Sequence, residues 1–113
     1  GSSLVLDAKY EEIVQSINLA ATPNIALRQT RVGELSMWKG CAAANAARNG
    51  LFASLLANEG MTGPSPVFEG EKGFFKQVSG ELKLEFPKNE YKISETSIKK
   101  YPVEYHSMSA VEA

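Results

Sequence analysis

Cys41-Ala42-Ala43-Ala44-Asn45-Ala46-Ala47-Arg48-Asn49-Gly50-Leu51-Phe52-Ala53-Ser54-Leu55-Leu56-Ala57-Asn58 is the stretch on which the fold turns. Ala44, Ala47, Leu51 and Leu55 recur at helical spacing, with Phe52 and Leu56 beside them and no two-residue alternation. Alanine and leucine are strong helix formers. The pattern predicts that 41–58 is the longest helix of the chain, ended by Gly60, since glycine suits the left-handed position that closes many helices. The first half is nearly all alanine, with Asn45 and Asn49 interspersed. Side chains that small let a second backbone come close, so this end is expected to pack deep, with Cys41 buried at its start.

Upstream, Asp7 to Ala21 reads as a second helix. Asp7 is placed to cap it, and Glu11 and Glu12 suit the positive end of its dipole. Ile13, Ile17 and Ala20 repeat at helical spacing, widened by Val14 and Ala21, and Pro23 ends the run. The chain offers few residues to cover this stripe, so a partner domain outside it is expected. Ile25 to Trp38 has no clean period and reads as a loop that delivers Trp38 and Lys39.

Downstream, Met61-Thr62-Gly63-Pro64-Ser65-Pro66 is a turn-rich connector. Gly73 to Val78 predicts a short helix burying Phe74, Phe75 and Val78. Leu82, Leu84 and Phe86 alternate as in a short strand, and Tyr91 to Tyr101 allows another, interrupted by Pro102. Ser107 to Ala113 reads as the opening turns of a further helix, with Ser107 or Ser109 as cap. The expected class is α+β, mainly α-helical, with strand only after Gly80. No internal repeat or low-complexity tract is present.

Composition narrows the function. The chain has 113 residues, 43% hydrophobic and 22% charged, with a formal net charge of -1. That balance is ordinary for a globular domain and gives no basic field for duplex nucleic acid. One cysteine excludes an internal disulfide and an iron–sulfur cluster, and one histidine leaves no zinc set. A lone cysteine fits a reducing compartment. No apolar run approaches the roughly 20 residues that span a bilayer, so no membrane partner is expected. Gly1-Ser2-Ser3 lacks the basic start of a signal peptide and reads as a tag remnant. The first residue is not Met, which predicts a piece of a longer gene product.

Three places carry chemistry. In Ser36-Met37-Trp38-Lys39-Gly40, a lysine stands at a helix entrance, where its charge adds to the unpaired amides of the first turn and suits a carboxylate or phosphate. On spacing alone, an exposed loop lysine explains it as well. Lys99-Lys100-Tyr101-Pro102-Val103-Glu104-Tyr105-His106 gathers two cations, a carboxylate, two phenols and the one imidazole around a proline. Such a strip can hold a polyanion and supply acid–base groups, although an ordinary surface loop has the same composition. Glu69-Gly70-Glu71-Lys72-Gly73 lacks the phosphate-loop pattern and reads as turn punctuation. Cys41 has no base argued beside it and is not expected to be a nucleophile.

Read together, these blocks resemble the MmgE/PrpD family. The likeness runs through Arg31-Val32-Gly33-Glu34-Leu35-Ser36-Met37-Trp38-Lys39-Gly40, Asn45-Ala46-Ala47-Arg48-Asn49-Gly50 and Gly60-Met61-Thr62-Gly63-Pro64. It continues through Phe68-Glu69-Gly70 and Gly73-Phe74 to Lys99 through Ser107, in order and over roughly two-thirds of the chain, far more specific than any single block. The resemblance implies a large helical domain and a smaller α+β lid. Residues 1–66 are then the end of the helical domain and 67–113 the start of the lid.

The same resemblance implies a small polycarboxylate substrate and no metal or other cofactor. Trp-Lys-Gly and Glu-Tyr-His-Ser look like the 2-methylcitrate dehydratase branch. Many relatives instead have Met-Thr-Lys and a Cys or His where Glu104 stands, which argues against a cis-aconitate decarboxylase. The alternatives are that decarboxylase, an epimerase on the same scaffold, or a non-catalytic anion- or partner-binding module. Lys39 falls on the family's active-site lysine and Lys99 on its lid lysine. Glu104 and His106 fall on the lid strip that closes over substrate. An aspartate and histidines of the helical domain lie upstream, so the piece is expected to be inactive alone. The implied parent is a homodimer in the cytoplasm, or in the mitochondrial matrix of a eukaryote.

Overall fold

The computed structural model describes residues 1–83, 85 and 91–113. It divides into two units, Gly1–Leu82 and Lys83–Ala113. The described residues are mainly helical and contain no β-strand. Leu84 and Phe86 of the expected strand lie outside the described residues. The strand allowed over Tyr91–Tyr101 is absent: Lys92–Glu95 form a 3-10 turn, closed by the Ser94 amide on Tyr91 O at 2.9 Å and the Thr96 amide on Ile93 O at 3.1 Å. Turn closure of this kind uses the amides that a strand would offer to a neighbour.

The first unit is built on α1 (Ser2–Val5), α2 (Tyr10–Ala21) and α3 (Trp38–Asn58). α3 is the longest element, as its composition predicts, and begins three residues before Cys41. Its end is a full Schellman closure. Gly60, at φ +87°, sends its amide to Ala57 O at 3.0 Å, and the Met61 amide reaches Leu56 O at 3.0 Å. A side chain at that φ is disfavoured, which is why the position is glycine.

α2 begins later than expected. Asp7 does not cap it but takes a left-handed turn at φ +51° between α1 and α2, a conformation that aspartate tolerates better than most residues. The entrance is closed from inside the helix: the Lys9 amide donates to Glu12 Oε2 at 2.7 Å. That is the returning half of a capping box.

α3 faces α2 with a different side from the one its leucines mark. Its buried residues are Ala53, Ser54 and Ala57, and those of α2 are Ser16 and Asn18. Leu51, Phe52 and Leu55 lie on the opposite side and are 48%, 61% and 45% exposed. At about 100° per residue, a helix that turns Ala53, Ser54 and Ala57 inward must turn Leu51 and Leu55 outward. Small residues win the contact because they allow the backbones close enough for hydroxyls to meet. Ser3 Oγ lies 3.0 Å from Ser16 Oγ and 2.9 Å from Ser54 Oγ, so one hydroxyl joins all three helices. Ser16 Oγ and Ser54 Oγ also donate to Ile13 O and Gly50 O. Ser3, within the stretch that reads as a tag remnant, is thus part of the packing.

The alanine-rich half of α3 is not packed deep: Ala43, Ala44, Ala46, Ala47 and Cys41 are exposed, and only Ala42, Asn45 and Asn49 are half-buried. Ala42, Asn45, Ala46 and Asn49 instead line an open cavity with Ile17, Ala20 and Ala21 of α2. The chain after α2 returns through Asn24, whose Oδ1 accepts from Asn49 Nδ2 at 2.7 Å.

The connector after α3 lies tightly on α2. The Gly63 amide donates to Gln15 Oε1 at 2.8 Å, and a Cβ at Gly63 would stand 2.8 Å from Asn18 Cβ and 2.9 Å from Leu19 N. Beyond it, Phe68, Phe74 and Phe75 form a cluster with centroids 5.8 to 6.5 Å apart. Phe75–Ser79 is one turn of π-helix; Phe74 and Phe75 are half-buried, whereas Val78 is 47% exposed rather than buried.

In the second unit, a 3-10 turn at Tyr105–Ser107 runs into α4 (Met108–Glu112). Ser107 is its N-cap residue but makes no side-chain cap bond.

Candidate functional site

Lys39 occupies the second position of α3 and is exposed. Its neighbours Met37 and Trp38 are exposed as well, at 95% and 52%. The first turn is partly closed on itself: the Lys39 amide donates to Ser36 O at 3.1 Å and the Gly40 amide to Met37 O at 3.0 Å. Those two donors are therefore not offered to an anion, and the lysine charge is the main attraction at this entrance. No carboxylate among the described residues forms an ion pair with Lys39.

Lys99, Glu104 and His106 lie together on one exposed strip of the second unit. Lys99 Nζ donates to Val103 O at 2.9 Å, which folds the strip around Pro102. The Glu104 carboxylate accepts the His106 amide at 2.7 Å and caps the 3-10 turn. The imidazole of His106 meets the Tyr105 ring edge-on, 5.6 Å between centroids. Glu104 thus fixes the backbone from which His106 projects, while its second oxygen stays available to a ligand. Lys100 pairs with Glu112 and lies over the Tyr101 ring at 5.2 Å. Hydrogen bonding to Glu112 first, and to the Tyr101 side chain second, holds its ammonium above the ordinary lysine value.

Sequence reading missed two working residues. Glu112 lies twelve positions from Lys100, and no local pattern announces the pair. Gln15 looks like any polar residue on α2, yet it receives the Gly63 amide. The glycines of two motif blocks have packing reasons. A Cβ at Gly70 or Gly73 would fall 2.6 Å from the Pro66 or Phe68 carbonyl oxygen, and the Gly63 clash is described above.

The first unit also has an open cleft of about 490 Å³ between the end of α2 and the loop that follows Pro64. Ile25, Pro64, Val67, Phe74 and Val78 line it, and Lys39 does not. No group of three or more His, Cys, Asp or Glu residues among the described residues is placed to hold a metal ion. No helix among them is long and apolar enough to cross a membrane.

Residues 1–87 match the model of the MmgE/PrpD N-terminal domain. The chain belongs to the MmgE/PrpD family. The match covers α1, α2, α3 and the glycine blocks, and with them Lys39; Lys99, Glu104 and His106 lie beyond it. Members of this family are enzymes of the lyase and dehydratase type, 2-methylcitrate dehydratases among them. The helical architecture of the first unit agrees with an N-terminal helical domain. No solved structure matches the chain.

Proposed function

We propose that this chain is part of a 2-methylcitrate dehydratase, in which Lys39 of α3 and the Lys99–His106 strip supply substrate-binding residues. In this reading 1–66 belongs to the helical domain and 67–113 opens the α+β lid. The observation that carries the enzyme class is the family match over residues 1–87. The Trp38-Lys39-Gly40 and Glu104-Tyr105-His106-Ser107 forms resemble the 2-methylcitrate dehydratase branch, which supports that choice within the family.

The reaction removes a proton and a hydroxyl from 2-methylcitrate, giving 2-methyl-aconitate and water. Loss of a C–H proton beside a carboxylate builds negative charge on that carboxylate. Ammonium groups already in place lower the energy of the charge as it develops. Lys39 and Lys99 suit this role, since both are exposed and neither forms an ion pair among the described residues. His106 protonates the leaving hydroxyl. Glu104 holds the backbone under His106 and accepts a hydrogen bond from a hydroxyl of the substrate. The remaining acid–base groups belong to the rest of a parent chain, a homodimer of the cytoplasm or mitochondrial matrix, and no metal or other cofactor takes part.

The test is an assay of the parent enzyme on 2-methylcitrate and on cis-aconitate. Formation of the unsaturated product, followed by its ultraviolet absorbance, supports the dehydratase. Release of carbon dioxide from cis-aconitate without dehydration of 2-methylcitrate sinks it. The 113-residue chain alone is expected to turn over neither, because half a site forfeits the positioning worth on the order of several kcal/mol.

A further inference from the structure

Two lysines stand side by side at 99 and 100, and the second unit gives them different partners. Lys100 Nζ is paired with the carboxylate of Glu112, in the last turn of α4. The same ammonium lies 5.2 Å from the centroid of the Tyr101 ring. One carboxylate cancels one ammonium, and the ring face adds a further attraction that keeps the cation where it is. Lys99 Nζ instead donates to the neutral carbonyl of Val103 at 2.9 Å. A carbonyl orients an ammonium without cancelling its charge, and two of the three N–H donors stay free. No ion pair to Lys99 is present among the described residues.

We propose that Glu112 masks Lys100, and so decides that Lys99 is the ammonium this strip presents to a polycarboxylate. The assignment rests on the reading of the strip as one edge of a polycarboxylate site. The mask is electrostatic rather than steric: the side chains of Lys100 and Glu112 are 61% and 59% exposed, so solutes reach both. An anion approaching Lys100 meets a carboxylate beside it, whereas one approaching Lys99 meets an ammonium backed by the negative end of a carbonyl dipole. Glu112 is on this account a specificity-determining residue that need not touch the substrate. It also ties α4 to the strip.

The test is competitive labelling of the whole chain with acetic anhydride, read lysine by lysine by mass spectrometry, with citrate as the probe tricarboxylate. In the unmodified chain Lys100 should label about twofold to fivefold more slowly than Lys99, the range that a surface ion pair supplies. Citrate should protect Lys99 and leave Lys100 unchanged. In Glu112→Gln, Lys100 should label as fast as Lys99, and citrate should protect both. Lys100→Gln should leave citrate protection of Lys99 intact, whereas Lys99→Gln should abolish citrate binding to the strip. Equal protection of both lysines before mutation, protection of Lys100 alone, or protection of neither overturns the proposal. So does a Glu112→Gln pattern identical to that of the parent sequence. Circular dichroism of each variant shows that the helices persist. If the masking pattern holds while the parent enzyme fails to dehydrate 2-methylcitrate, the substrate assignment falls and the role of Glu112 stands.

Discussion

Ser3 and Ser54, 51 positions apart, meet hydroxyl to hydroxyl at 2.9 Å. Ser16 completes the group at 3.0 Å from Ser3, and all three side chains are buried. Four hydrogen-bond contacts converge on three hydroxyls, two of them to the carbonyls of Ile13 and Gly50. Three protons serve at most three of the four at any instant. The group is a polar rivet through α1, α2 and α3. Ser54→Ala removes one bond and adds no bulk, and should cost about 0.5 to 1.5 kcal/mol. Ser54→Leu forces the helices apart and should cost more, about 1 to 3 kcal/mol. Urea unfolding of the two variants checks the order; equal stabilities would show that the seam is not closely packed.

Two glycine-to-alanine changes should have opposite signs. Gly63 has Asn18 Cβ and the Leu19 amide where its Cβ would go, so Gly63→Ala should destabilise by about 1 to 3 kcal/mol. Gly50 lies inside α3 with nothing within 4 Å of a built Cβ. Gly50→Ala should therefore stabilise by about 0.5 to 1 kcal/mol through helix propensity. Thermal melts separate the two.

Lys39 carries a functional expectation that stability does not share. In the parent enzyme Lys39→Ala should lower turnover at least about tenfold, the low end of what charge-stabilising groups supply. The melting temperature should barely move, because the side chain is exposed and forms no ion pair among the described residues. Normal turnover in the folded variant would remove Lys39 from the site.

The Lys100–Glu112 pair predicts an alkaline titration. Glu112 first, and Tyr101 second, hold Lys100 above its ordinary value of 10.5. A group whose folded value is raised contributes stability below its unfolded value and loses it as pH rises through the folded one. The tie between α4 and the strip should thus persist through neutral pH and loosen only above 10.5. Side-chain proton shifts of Lys100 should titrate above the ordinary lysine value, and Glu112→Gln should move that titration down. A titration of Lys100 that ignores the Glu112 change would break the pair.

Much of this chain is legible in order of residues alone. The long helix, its glycine ending, the shorter helix before it and the motif blocks of the MmgE/PrpD family are local properties. Backbone propensity, capping and spacing act over a few residues, so a sequence states them directly. The face that α3 turns to α2 is another matter. Leu51 and Leu55 mark one side and Ala53, Ser54 and Ala57 another, and propensity does not rank them. The choice rests on how closely two backbones approach and on Ser3 and Ser16 arriving from elsewhere to satisfy Ser54. The same holds at the strip. Its composition names Lys99, Glu104 and His106 as candidates, but which lysine is neutralised depends on Glu112 coming back from α4. Local chemistry chose the helices and the cast of charged residues. Only tertiary structure, through non-local contacts that no spacing encodes, decided which helix faces are buried and which charges are left uncancelled.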